Sequence, residues 1–119
     1  MIQTPQTYLG FIQIADLVSE RILRGEYKAD ERIPSVREMA EHAEVNPNTV
    51  VRAYERLTRA GLIYTQRGLG YFASPDAAEL IRTERVKKFY AEMLPALRRE
   101  MELLQIKYED LEQHLSDSK

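Results

Sequence analysis

Cysteine is absent from the chain, which excludes disulfides and zinc–thiolate sites and agrees with an intracellular, reducing setting. Histidine is nearly as scarce. His42 and His114 stand far apart with no H-x-x-x-H partner, so both are expected to be solvated or satisfied side chains, and no metal is expected. No apolar run approaches the roughly 20 residues of a membrane helix. The opening residues MIQTPQTYLG also lack the basic-then-apolar order of a secretion signal. There is no nucleophile paired with a base, and no glycine-rich phosphate loop ahead of a helix. At 119 residues the chain accommodates one ordinary domain, or a small domain with an extension, and no large catalytic core. These absences point to a cytoplasmic protein that is not an enzyme, uses no cofactor and does not enter a membrane.

The residues from Asp30 to Ala73, DERIPSVREMAEHAEVNPNTVVRAYERLTRAGLIYTQRGLGYFA, carry the strongest local signals. Ser35 and Glu38 have the S-x-x-E spacing of a capping box, in which serine caps the free helix amides and glutamate reaches back to the serine amide. A helix is therefore expected from Ser35 through Val36, Met39, Ala40 and Ala43. The next starts after a tight turn, with Asn46 as cap and Pro47 at the first helical position, where its missing N–H costs nothing. Val50, Ala53, Tyr54 and Leu57 recur at helical spacing and face inward, leaving Asn48, Thr49, Arg52, Glu55, Arg56 and Arg59 on a polar, mostly cationic face.

Gly61 falls where a left-handed residue closes that helix, with Leu62 supplying the accompanying apolar contact. Ile63-Tyr64-Thr65 and Tyr71-Phe72-Ala73 read as paired short strands. Between them Gln66-Arg67-Gly68-Leu69-Gly70 forms a hairpin loop with Arg67 at its tip, its two glycines permitting positive φ or close backbone approach. So short a hairpin must pack on the helices before it. Helix, turn, helix and hairpin in this order form a winged helix-turn-helix, whose expected partner is double-stranded DNA.

A formal charge of −2 is reconciled with that partner by its distribution. From Val45 to Ser74 the cations are Arg52, Arg56, Arg59 and Arg67, against Glu55 as the one acid. From Pro75 to Lys119 acids outnumber bases. The cationic field is local, which is what phosphate contact requires. Arg37, just after a capping serine, is unfavourably placed against the helix dipole, and a phosphate partner accounts for it. A solvated charged face is the competing reading of these arginines.

Upstream, Tyr8, Phe11, Ile12, Ala15, Leu17, Val18, Ile22 and Leu23 predict an amphipathic first helix ending at Gly25. The connection from Glu26 to Pro34 crosses the domain, with Ile33 anchoring it in the core and Pro34 disfavouring helix there. After Ala73, Ser74-Pro75-Asp76-Ala77-Ala78-Glu79 combines a strand stop with helix-start residues, so the domains are expected at 1–74 and 75–119.

Beyond that boundary Tyr90, Leu94, Leu97, Met101, Leu104, Tyr108, Leu111 and Leu115 follow alternating gaps of four and three, a heptad seam that a lone helix cannot bury. Pro95 lies inside it and predicts a kink or a break near Leu94. Met93-Leu94-Pro95-Ala96 contains no loop residue for a full reversal. The seam is therefore expected to bury against a second copy, the alternative being two tail helices packed on each other. The fold class is mostly α with a small β-hairpin (α+β): an N-terminal winged helix-turn-helix followed by C-terminal dimerisation helices.

With these residues in hand, the chain resembles the GntR family of bacterial transcription regulators, and its short YtrA-like branch in particular. Ile33-Pro34-Ser35-Val36-Arg37-Glu38-Met39-Ala40 is similar to the family signature L-P-S-x-R-x-L-A. Val45-Asn46-Pro47-Asn48-Thr49-Val50 with Arg52-Ala53-Tyr54 and Leu57 resembles its V-N-P-N-T-V-x-R-A-Y-x-x-L form. Gly61-Leu62 with Arg67-Gly68-Leu69-Gly70-Tyr71-Phe72 looks like its wing. Three motifs in order over about two-thirds of the chain make the match specific. The resemblance implies DNA contact by Arg37, by Asn46, Asn48, Thr49 and Arg52 at the start of the Pro47 helix and by the wing glycines Gly68 and Gly70, while Arg56 on the cationic face and Arg67 at the hairpin tip are expected to join them on their placement alone. Many longer members carry a base-reading arginine where Val51 stands, and that task passes here to Arg52. The tail is too short to enclose an effector pocket. The short branch, by resemblance, consists of homodimers that commonly repress an adjacent ABC transporter operon from a palindromic operator. Adaptor modules and enzymes are the competing classes, and the arginine placement and the lack of catalytic groups argue against each.

Overall fold

The computed structural model describes residues 10–117. Three helices, α1 (Phe11–Leu23), α2 (Val36–Ala43) and α3 (Pro47–Arg59), precede an antiparallel hairpin of β1 (Ile63–Gln66) and β2 (Gly70–Ala73). Helix α4 (Ala77–Lys88), a π-helical turn (Phe89–Met93), α5 (Leu94–Leu104) and α6 (Tyr108–Asp117) follow. This is the expected mostly helical winged fold.

Each boundary has a local cause. At α2 the Glu38 N–H donates to Ser35 Oγ at 3.1 Å, and the Ser35 N–H donates to Glu38 Oε1 at 2.8 Å. The backbone and hydroxyl contacts of Ser35 hold the exposed Glu38 carboxyl below its ordinary range. At α3 the Asn48 N–H donates to Asn46 Oδ1 at 2.7 Å, with Pro47 opening the helix. That helix ends at Gly61, φ 79°. There the Leu62 N–H donates to Leu57 O at 2.9 Å and the Gly61 N–H to Thr58 O at 3.0 Å, satisfying two terminal carbonyls. The α2–α3 turn uses a left-handed residue that is not glycine: Glu44, φ 56°.

Both α1 and α2 pack on α3. Ile14, Val18, Ile33, Met39, Val50 and Tyr54 lie wholly inside, and Ile33 anchors the α1–α2 connection as expected. One part of the α1 pattern differs. Ile12 is 47% exposed whereas Ile14 is fully buried, because the inward line runs through Phe11, Ile14, Ala15, Val18 and Ile22 and places Ile12 about 100° away from it. Tyr8, also expected on this helix, lies outside the described residues.

The α1–α2 connection also runs hydrogen-bonded alongside β2, through an isolated bridge. The Asp30 N–H donates to Ala73 O (2.8 Å), the Ala73 N–H to Glu31 O (2.9 Å) and the Ile33 N–H to Tyr71 O (2.9 Å), with Arg32 bridging Phe72. The hairpin thereby gains a pairing edge that two short strands alone lack.

Two compact units emerge, one reaching Arg82 and the other starting at Thr83. The boundary expected at Ser74 falls short of that division, since Ala77 and Ile81 on the first turns of α4 are buried in the first unit's core. In the second unit Pro95 does not break the chain. A regular helix would drive its ring into the Ala91 carbonyl. The π-turn before it, in which the Leu94 N–H reaches Phe89 O, widens the spiral and absorbs the misfit. The interruption comes instead at Gln105, φ 57°. There the Ile106 N–H donates to Met101 O at 2.9 Å, and the Lys107 N–H to Asp110 Oδ2 at 3.2 Å as α6 begins. The heptad seam is therefore cut between Leu104 and Tyr108.

Candidate nucleic-acid interface

The outward face of α3 follows from its inward one. With Val50, Ala53, Tyr54 and Leu57 buried, Asn48, Arg52, Glu55, Arg56 and Arg59 are all exposed, and Thr49 is half-exposed beside them. Asn46 is exposed too, with its carboxamide oxygen already committed to the cap. Arg37 and Pro47 line one cleft with Val36, Ala40, Glu41 and Val45, so the first turns of α2 and α3 open side by side. Among the described residues Arg37, Arg56, Arg59 and Arg67 have no ion pair or hydrogen-bond partner, leaving their donors available.

The outward face of α3 is held from behind by Tyr54. Its hydroxyl donates to Pro34 O at 2.7 Å, and its ring meets Tyr71 edge-on with centroids 4.8 Å apart. One side chain thus ties α3 to the start of α2 and to β2. Burial pushes its phenol above the ordinary tyrosine range. Thr58 Oγ1 donates to Tyr54 O at 2.7 Å one turn later.

In the wing, Arg67 is exposed at the loop tip. Gly68 has φ 77° with open space where a Cβ would stand, whereas Gly70, φ 115°, would place a Cβ 3.1 Å from Arg32 Nε. Gly68 therefore serves the turn alone within this chain, and Gly70 also makes room for Arg32. Arg32 Nε donates to Leu69 O at 3.3 Å, and its other end lies 3.9 Å from Glu38 Oε1. It links the wing loop to the α2 cap across 37 residues of sequence. The flanking strands are braced by stacked Tyr64 and Phe72 rings, 5.7 Å apart, and by the Tyr64 hydroxyl donating to Asp30 Oδ1 at 2.8 Å.

Sequence reasoning placed Tyr54 in the core without its bond to Pro34, and it missed Arg32 as a wing support. Alternation over Glu31-Arg32-Ile33 is the only local trace of that role, and three residues are too few to read as a strand. It also missed the Arg52 guanidinium lying 4.2 Å from the centroid of the Phe11 ring.

The expected dimerisation residues stand in the second unit. Tyr90, Leu97, Leu104, Tyr108 and Leu115 are exposed, while Leu94, Met101 and Leu111 are half-exposed. Tyr90 lies in the π-turn, Leu94 to Leu104 on α5, and Tyr108, Leu111 and Leu115 on α6. Val86, Phe89, Met93, Leu103 and Ile106 add further exposed apolar surface. Among the described residues no group of side chains could hold a metal ion, and no helix is long and apolar enough to cross a membrane.

Residues 12–72 match the model of a family described as bacterial regulatory proteins, gntR family. An uncharacterized HTH-type transcriptional regulator, YhcF of Bacillus subtilis, is 37% identical over 101 residues, covering 85% of this chain and 82% of YhcF. The HTH-type transcriptional repressor YtrA of the same organism is 45% identical over 65 residues, covering 55% of this chain and 50% of YtrA. Among solved structures, a GntR family transcriptional regulator from Listeria monocytogenes superposes with a TM-score of 0.73 at 31% identity, over 90% of this chain and 92% of that one. The DNA-binding domain of AraR, solved in complex with operator ORR3, gives a TM-score of 0.53 at 26% identity over 61% and 83% of the two chains.

Proposed function

Because the chain belongs to the gntR family of bacterial regulatory proteins, and is a DNA-binding transcription regulator rather than an enzyme, we propose that it is a homodimeric cytoplasmic repressor of a palindromic operator. The observation that carries this reading is the outward face of α3, where Arg52, Arg56 and Arg59 stand exposed at the end of a capped helix-turn. Asn48, Thr49 and Arg52 on the first turns meet base edges in the major groove, while Arg37 and Arg56 meet phosphates. Asn46 positions that first turn. Arg67 and the glycine-bearing wing approach the neighbouring backbone or minor groove. Overall acidity limits nonspecific affinity, so discrimination rests on the base contacts.

Homodimerisation is supported by the second unit's apolar surface, with Leu97, Leu104, Tyr108 and Leu115 exposed in the single chain. A two-fold pairing of the tails presents two recognition helices to two half-sites. Repression is supported by the likeness to YtrA, itself described as a repressor. The YtrA-like resemblance further suggests an adjacent ABC transporter operon as the regulated target.

Selection of a randomised duplex pool by the full chain, followed by sequencing, tests this reading. An inverted repeat, matched upstream of the chain's own operon and derepressed on deletion of the gene, is the expected outcome. Enrichment no better than for mixed sequence would overturn it.

A further inference from the structure

Phe11 opens α1, outside the helix-turn-helix itself, and lies just before the stretch matched by the family model. Its ring is half-buried against the core, and the helix start beneath it is fixed by the Gly10 N–H donating to Gln13 Oε1 at 3.0 Å. The ring is therefore seated against the core at a capped helix start. Over it, 4.2 Å from the centroid, lies the guanidinium of Arg52, at the centre of the exposed face of α3.

An unrestrained arginine carries large rotamer freedom and must lose it on binding. Contact through the cation's face with an aromatic ring holds the side chain in place and consumes none of its five N–H donors. Among the described residues Arg52 has no hydrogen-bond acceptor and no ion-pair partner. Toward the described residues its donor fork is uncommitted, and it suits a planar acceptor pair such as guanine O6 and N7. Glu55, the one acid on this helix face, makes no ion pair with it.

We propose that Phe11 is a positioning residue for base reading: it stations the Arg52 guanidinium before DNA arrives, so that α1 takes part in sequence discrimination through a side chain that need not touch the DNA. The inference rests on Arg52 reading a base, as proposed above. Its signature is selective. Loss of the ring weakens the cognate site and spares mixed-sequence duplex, because phosphate attraction does not require a fixed guanidinium.

The test measures affinity of the full chain, at one salt concentration, for a duplex selected from a randomised pool and for a mixed-sequence duplex of equal length. Phe11→Leu, which keeps apolar volume, is expected to lower the specificity ratio about two- to fivefold, the range of an exposed cation–π contact. Phe11→Tyr is expected to retain it. In an Arg52→Ala background, Phe11→Leu is expected to change nothing further. A wild-type-like ratio for folded Phe11→Leu, alongside a reduced ratio for Arg52→Ala, overturns the positioning role and leaves base reading intact. An unchanged ratio for Arg52→Ala overturns both. Should Phe11→Leu unfold, the Arg52 Nε–H proton of the wild-type protein decides: ring-current displacement upfield is expected, and an undisplaced resonance overturns the proposal.

Discussion

The Tyr54 hydroxyl reaches the Pro34 carbonyl oxygen at 2.7 Å, joining the middle of α3 to the turn that starts α2. Tyr54 is fully buried whereas Pro34 is half-exposed, so the bond lies at the edge of the core, and removing the hydroxyl takes from that carbonyl its partner within the fold. The angle between α2 and α3, on which any fit to a groove depends, thus hangs partly on one phenol.

Tyr54→Phe is accordingly expected to cost about 1–2 kcal/mol of stability while preserving the fold. Urea unfolding should show a lower midpoint at unchanged slope. The same phenol supplies a pH dependence. Its folded pKa is raised by burial above the unfolded value of about 10, so its contribution is complete below that pH and is lost as pH rises beyond it. Wild-type stability should fall above about pH 10, and this share of the fall should vanish in Tyr54→Phe.

Much of this architecture was legible because it is local. Ser35 with Glu38, Asn46 with Pro47, and Gly61 with Leu62 announce their helix ends within a few residues, and the inward line of α3 follows from 3.6-residue periodicity alone. What escaped was long-range or context-dependent. Nothing near Arg32 signals a carbonyl at Leu69, and nothing near Phe11 signals Arg52. Of the three left-handed non-glycine residues, Asp30, Glu44 and Gln105, none was anticipated, and for Glu44 and Gln105 the type of side chain argues against that conformation. Gln105 is the costlier omission: with no glycine or proline to mark it, the tail reads as one seam, whereas the chain divides there into α5 and α6.

Glu44→Gly is expected to stabilise the protein by about 0.5–1 kcal/mol. The left-handed φ of 56° strains a residue bearing a Cβ, and glycine relieves this while giving back part of the gain through a freer unfolded chain. A higher thermal midpoint is the readout. A lower one would show that the glutamate side chain contributes more than its backbone costs.

Arg52→Ala is expected to weaken binding to a selected operator by about 1–3 kcal/mol without disturbing the fold, because the exposed guanidinium has no structural partner to lose apart from the Phe11 ring. Gel-shift titration against cognate and mixed-sequence duplex provides the measurement. An unchanged specificity ratio would remove Arg52 from base reading.

Arg67→Ala addresses the wing. Its side chain is exposed at the loop tip, so its removal should lower affinity for all sequences alike and reduce the magnitude of the salt slope by about one. Titrations at several salt concentrations give that slope directly. A wild-type slope would make Arg67 a bystander.

Leu104→Glu tests the link between tail and DNA. Leu104 closes α5 and is 59% exposed in the single chain, so a glutamate there costs the isolated fold little. In a two-fold pairing of tails the same carboxylate would be buried without a partner, a penalty large enough to part the subunits. The first unit, with its own core reaching Ile81, should remain folded. Two tethered recognition helices gain avidity only when both half-sites are engaged, so the monomer should lose most of its affinity for a palindrome and bind a single half-site no worse than before. Sedimentation with matched titrations on whole and half operators separates the outcomes. A variant that stays dimeric would place the interface elsewhere on the tail, and a monomer that binds the palindrome normally would end the proposed coupling between subunit pairing and operator recognition.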